Sequence, residues 1–117
     1  MIFPSDHVIL RFNVPLTHAD EVRKAAGEAG AGRLGNYSFC SFSVRGMGRF
    51  LPSDDATPFL GAGGVLEEVE EEQIETYCHV SILENVIEAI KKAHPYEEMA
   101  IEIQPLYDMG RKKAADT

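Results

Sequence analysis

The five residues His94-Pro95-Tyr96-Glu97-Glu98 constrain this chain more than any other stretch. Pro95 has no N–H for a helical ladder and biases the residue before it away from the α region, so a helix arriving from Ser81 must stop at His94. The next segment, Met99 to Leu106, alternates apolar with polar residues and predicts a strand. The connector between helix and strand therefore carries an imidazole, a phenol and two carboxylates. No other short stretch concentrates as much side-chain chemistry, which makes it the candidate site.

The elements upstream follow from spacing. His7 to Val14 is rich in β-branched and aromatic residues and predicts a first strand, stopped by Pro15. Thr17-His18-Ala19-Asp20 has the form of an N-cap followed by an acid, and Ala19, Val22, Ala26 and Ala29 recur at helical spacing. Gly27 weakens this first helix, while Gly30 and Gly32 close it. Aromatic and small residues interleave from Asn36 to Arg45 and predict a second strand. Gly46 to Gly64 carries seven glycine and proline residues and reads as a long connector, expected to pack on a neighbouring subunit or to serve as a ligand loop. Leu66 to Val80 predicts a third strand, with five acids between Glu67 and Glu72 that place its first half partly outside the domain body. Ser81 with Glu84 has the form of a second capping box, and Leu83, Val86, Ile87, Ile90 and Ala93 make the apolar stripe of a second helix. Pro105 puts the last strand at or near a sheet edge.

The resulting order is a ferredoxin-like βαββαβ pattern, an α+β fold with a four-stranded antiparallel sheet and two helices on one face. One domain is expected over residues 1–108, with a long loop at 46–64 and a small, charged tail at 109–117 that frays. The face away from the helices is left bare. Such a face is expected to expose a large apolar surface, which other copies of the chain would cover in a dimer or trimer.

A net charge of −8 argues against binding to nucleic-acid backbones or anionic membrane surfaces and favours small cations or basic partners. Cys40 and Cys78 are too few for a disulfide framework or zinc knuckle and read as reduced thiols of a cytoplasmic protein. Met1-Ile2-Phe3-Pro4 lacks the basic start and long apolar run of a secretion signal, and no stretch approaches the ~20 apolar residues of a membrane span. Nucleotide P-loop chemistry is excluded because no Gly-Lys-Ser/Thr follows the glycines, and nucleophilic catalysis lacks a Gly-x-Ser-x-Gly elbow.

Ala93-His94-Pro95-Tyr96-Glu97-Glu98-Met99-Ala100 resembles the helix-to-strand signature of the CutA-like domain inserted in Nif-three-like proteins. Gly30-Ala31-Gly32 with Gly35-Asn36-Tyr37 and Cys40-Ser41-Phe42 is similar to that family's glycine turn and second strand. Gly46-Met47-Gly48-Arg49-Phe50 with Pro52, Ala56, Pro58 and Gly61 resembles its loop, and Glu67, Val69 and Glu71 its third strand. The resemblance implies a CutA/PII-like fold and oligomers, often trimers in those relatives. Full-length Nif-three-like proteins hold two metals on a surrounding domain, through an early His-His pair and a late Gly-His motif that this sequence lacks. The chain looks like the insert alone, so neither that dinuclear centre nor the GTP-cyclohydrolase-like activity is expected here.

Within the connector, His94 is a candidate metal ligand with Glu97 and Glu98, since imidazole with carboxylate suits zinc or copper. The competing reading has His94 capping the carbonyls at the end of its own helix. Tyr96 is expected to be a buried ring with a satisfied hydroxyl. Cys78 and His79 point to opposite faces of a strand and cannot share a site without a bulge. His7 and His18 have no clustered partners in the sequence and read as incidental. The function expected is an oligomeric binding or regulatory module taking a small ligand or divalent cation in a subunit cleft lined by Asn36, Tyr37, His94, Tyr96, Glu97 and Glu98. The alternatives are a small enzyme using His94 as general base and an assembly module without ligand.

Overall fold

The computed structural model describes residues 1–110. The strands are β1 (Phe3–Pro15), β2 (Ser41–Phe50), β3 (Glu67–His79) and β4 (Ile101–Asp108), and the helices are α1 (Ala19–Glu28) and α2 (Leu83–Ala93). They form one four-stranded antiparallel sheet in the order β2-β3-β1-β4. Most of the tail expected to fray, residues 111–117, lies outside the described residues.

The core follows the period of β1. Val8, Leu10, Phe12 and Val14 point to the helical side, where Val22 and Ala26 of α1, Val86 and Ile90 of α2 and Ile74 of β3 close over them. Leu10, Val22, Ile74, Val86 and Ile90 are wholly buried, so truncating Leu10, Ile74 or Ile90 to alanine costs roughly 2–5 kcal/mol. Neither helix has the capping box expected of it. A short 3-10 turn, Leu16–His18 before α1 and Val80–Ile82 before α2, leads into each instead, and no cap side chain bonds the first turn of either helix. The side chain of His79, not of Ser81, does the accepting before α2, from the Ser81 N–H at 3.1 Å.

The second strand differs from its expected position. It begins at Ser41 and runs through Gly46 and Gly48 to Phe50, so the connector spans residues 51–66 and not Gly46 to Gly64. Glycine composition alone signals a turn; here the strand continues because residues 46 to 50 pair with Glu71 to Glu67 of β3, and glycine is needed at 48 because the Glu71 side chain lies where any Cβ would overlap it. Register also explains the acids. β3 pairs with β1 only from Glu71 onward, so Glu67 to Glu70 pair with β2 alone and project as a two-stranded arm beyond the sheet body.

The face away from the helices is not the uniformly apolar surface expected. Its centre is a polar ladder: the Arg11 guanidinium meets Glu75 at 2.5 Å and Glu102 at 3.2 Å, and Gln73 donates to Asn13 Oδ1 at 3.1 Å. These side chains share the face because β1 residues 11 and 13 register with β3 residues 75 and 73. Exposed apolar groups lie at the β2 edge, with Phe42 and Val44 more than half exposed.

Candidate functional site

Pro95 ends α2 as the sequence requires. His94 takes an extended conformation (φ −74°, ψ 135°), its N–H still bonding Ile90 O at 2.9 Å, and this turns the imidazole under the end of β1. There the ring is 6 % exposed and both nitrogens are engaged. Nδ1 accepts the Tyr96 N–H at 3.1 Å, so Nε2 carries the proton and donates to Asn13 O at 2.7 Å. Burial lowers the imidazole pKa, outweighing the opposing pull of the Asn13 carbonyl and Glu71. His94 thus staples the helix end to the first strand in neutral form. It bonds a carbonyl of β1 and not those of its own helix, which corrects the capping expectation.

Tyr96 rises from this staple to the other face of the sheet. Its ring packs on His94 at 4.8 Å and on Phe50 at 5.9 Å, and its hydroxyl donates to Glu71 Oε2 at 2.6 Å. Burial first, and Glu71 second, push the phenol far above its ordinary range. The 51–66 connector folds back over the same end: Thr57 N–H donates to Glu97 Oε2 at 3.1 Å, and Phe59 sets its ring edge to face with His18 at 5.2 Å. Between connector and sheet lies a cleft of about 420 Å³. Arg11, Asn13, Glu71 and Gln73 form its floor, Tyr96, Glu97 and Glu98 one wall, and Leu51, Pro52, Pro58 and Phe59 the other.

The sequence-predicted residues divide. Tyr96, Glu97 and Glu98 line the cleft, while His94 sits behind Tyr96 as its support. Asn36 and Tyr37 do not join them within one chain. They lie in a small turn in which Leu34 and Tyr37 exchange hydrogen bonds, tied to β3 through Gly32 N–H and Tyr77 O at 2.7 Å. Tyr77 is four to six residues along β3 from the cleft residues Gln73 and Glu71, roughly 13–20 Å at about 3.3 Å per residue. The metal set His94, Glu97 and Glu98 does not converge: among the described residues no group of three or more His, Cys, Asp or Glu does. An ion on His94 would have to break one of its hydrogen bonds.

Three residues with large parts in the site escape sequence reasoning. Glu71 looks like one acid in a solvated run, but the end of β1 and the Tyr96 hydroxyl bury it to 8 % exposure. Gly48 makes room for it, and Thr57 fastens the connector. A glycine opposite an acid run was the available signal. Elsewhere, His7 is not isolated, since it registers with His79 at the far end of the sheet with ring centroids 5.2 Å apart. Cys40 and Cys78 are free thiols, the second buried with its pKa raised by burial.

The fold is that of a ferredoxin-like domain of the CutA/PII type. No family model matches the chain. A protein of Halalkalibacterium halodurans named GTP cyclohydrolase 1 type 2 homolog is 48% identical over 97 residues, which are 83% of this chain and 26% of that protein. The crystal structure of a Bacillus cereus protein related to NIF3 superposes with a TM-score of 0.74 at 47% identity, over 89% of this chain and 26% of that one. The periplasmic divalent cation tolerance protein CutA from Archaeoglobus fulgidus shares the fold at 18% identity, with a TM-score of 0.63 over 91% of this chain and 88% of its own. The chain is a relative of the CutA-like domain of Nif-three-like proteins and spans about a quarter of the length of the curated relatives it matches. Among the described residues no helix is long and apolar enough to cross a membrane.

Proposed function

We propose that this CutA/PII-like domain is a binding or regulatory module that assembles with copies of itself and takes a small ligand in the cleft between the 51–66 connector and the Tyr96 wall. One observation carries the reading: an otherwise unstructured connector is fastened, through Thr57 to Glu97 and Phe59 to His18, over a cleft floored by polar side chains. The cleft volume of about 420 Å³ falls within the ~300–1,000 Å³ typical of small-molecule sites. Self-assembly is supported by Phe42 and Val44 on an edge strand exposed along most of its length, and in this reading Asn36 and Tyr37 reach the cleft only from a neighbouring copy.

A small ligand fits better than zinc or copper, which would need ligands that His94, Glu97 and Glu98 do not bring together. General-base catalysis by His94 is disfavoured because neither ring nitrogen offers a lone pair to the cleft. The name GTP cyclohydrolase 1 type 2 homolog is carried by a protein of which the matched 97 residues are only 26%, and no such activity is part of the proposal. Unpaired Cys40 and Cys78 fit a cytoplasmic setting.

Light scattering tests the assembly and a thermal-shift screen of small molecules tests the binding. The expected mass is a multiple of 12.9 kDa. Cleft binders should stabilise the wild type, by about 2.7 kcal/mol at a hundred times Kd, and leave Tyr96→Ala unmoved. A monomer that no compound stabilises overturns the reading.

A further inference from the structure

Glu71 is the one buried carboxylate of the cleft, and among the described residues no cation is paired with it. Only 8 % of it is exposed, and its single side-chain hydrogen bond among those residues is the Tyr96 hydroxyl on Oε2. A carboxylate has about four acceptor sites, and the other oxygen, Oε1, lies beside Gly48 with no hydrogen bond from the described residues; since no fully buried side-chain oxygen among them lacks a partner, Oε1 keeps contact with solvent. A carboxylate shielded over most of its surface, with one phenol donor and one oxygen left to solvent, interacts more strongly with an arriving cation than an exposed one does.

The other charges do not supply one. Arg11 is held between Glu75 and Glu102, and Arg49 by Glu68. Behind Tyr96, His94 is neutral with both nitrogens bonded. Glu97, Glu98 and Glu102 add negative charge at the rim. The opposing wall is apolar and aromatic, with Phe50, Leu51 and Pro58 facing the same space. A negative floor beneath an aromatic wall suits a positive head on an apolar body.

We propose that the cleft recognises a small organic cation, an ammonium group carried on an apolar or aromatic body, with the charge meeting Glu71 Oε1 and the body lying along Phe50, Leu51 and Pro58. The inference rests on the cleft being a ligand site and adds the class of ligand.

The test uses three probes of nearly one shape and different charge, 2-phenylethylammonium, 2-phenylethanol and phenylacetate, titrated into the full chain while the amide resonances of Glu71, Gln73 and Tyr96 are followed. The ammonium should bind at least tenfold more tightly than the alcohol, and phenylacetate should not bind. Glu71→Gln, which can still accept from Tyr96, should bring ammonium and alcohol within twofold. Glu70→Gln, on the projecting arm, should keep the preference. If Glu71→Gln fails to fold, salt decides in the wild type: raising it from about 0.05 to 0.5 M should weaken the ammonium and spare the alcohol. Equal binding of all three, or preference for phenylacetate, overturns the cation class and leaves the ligand site standing. Silence from all three overturns the cation class alone if the wider screen yields cleft binders, and both readings if it does not.

Discussion

Alanine at Gly48 should destabilise the domain, whereas alanine at Gly46, two residues earlier on the same strand, should not. At position 48 a Cβ would overlap the Glu71 carboxylate, and Glu71 Cγ would lie 3.2 Å away, so turning the tip of the side chain does not relieve the clash. Glu71 is boxed in by the sheet and the Tyr96 hydroxyl, and moving it forfeits that hydrogen bond. Crowding a packed site and stranding a buried polar group each cost about 1–3 kcal/mol. At position 46 nothing lies within 4 Å of a Cβ and φ is not positive, so alanine should stabilise by ~0.4–1 kcal/mol through the unfolded chain. Urea denaturation at one protein concentration should therefore separate the two midpoints by roughly 1 M or more, taking m near 1–3 kcal/mol/M. The cause is checked in the Glu71→Ala background, where the cost of Gly48→Ala should fall below ~0.5 kcal/mol because the clashing atoms are gone. Equal midpoints for the two glycine variants, or an undiminished cost without Glu71, would refute the close-approach argument.

Further predictions concern the connector and its support. Tyr96→Phe removes the one hydrogen bond on Glu71 and should cost about 1–3 kcal/mol by urea denaturation; a neutral effect would mean that water serves Glu71 equally well. The folded pKa of His94 lies below its ordinary 6.5, so its contribution to stability is full above that value and falls as the pH drops through it toward the folded pKa; His94→Gln should flatten the stability curve between about pH 7.5 and 5.5 relative to wild type. Glu97→Ala should change global stability by less than ~1 kcal/mol, because the contact is exposed, yet speed hydrogen exchange at the Thr57 amide severalfold. Unchanged exchange there would remove the fastening role given to Glu97.

Periodic features were legible in the chain. The alternation of Val8, Leu10, Phe12 and Val14, the stripe Val86, Ile90 and Ala93, and the stop at Pro95 lead directly to the observed order of elements and to Tyr96, Glu97 and Glu98 at the cleft. Other features depend on partners distant in sequence. Position 48 needs a glycine because of Glu71, Glu71 is covered by Tyr96, and Tyr96 packs on a ring bonded to Asn13. Apart from a glycine facing an acid run, none of those pairings has a signal in the sequence. The polar ladder around Arg11 was hidden for the same reason, since Glu75 and Glu102 meet it only through the register of neighbouring strands on either side.

The position of β1 in the sheet has a consequence for how the chain is made. It lies between β3 and β4, so the earliest of these four strands to be synthesised is flanked in the native sheet by two that are made much later. Until residues 101–108 emerge, one flank of an aliphatic strand has no native partner to satisfy it. Pairing across so much sequence is slow, of the order of milliseconds to seconds. Within this domain, aggregation and chaperone dependence should therefore be greatest for a nascent chain arrested before β4 emerges.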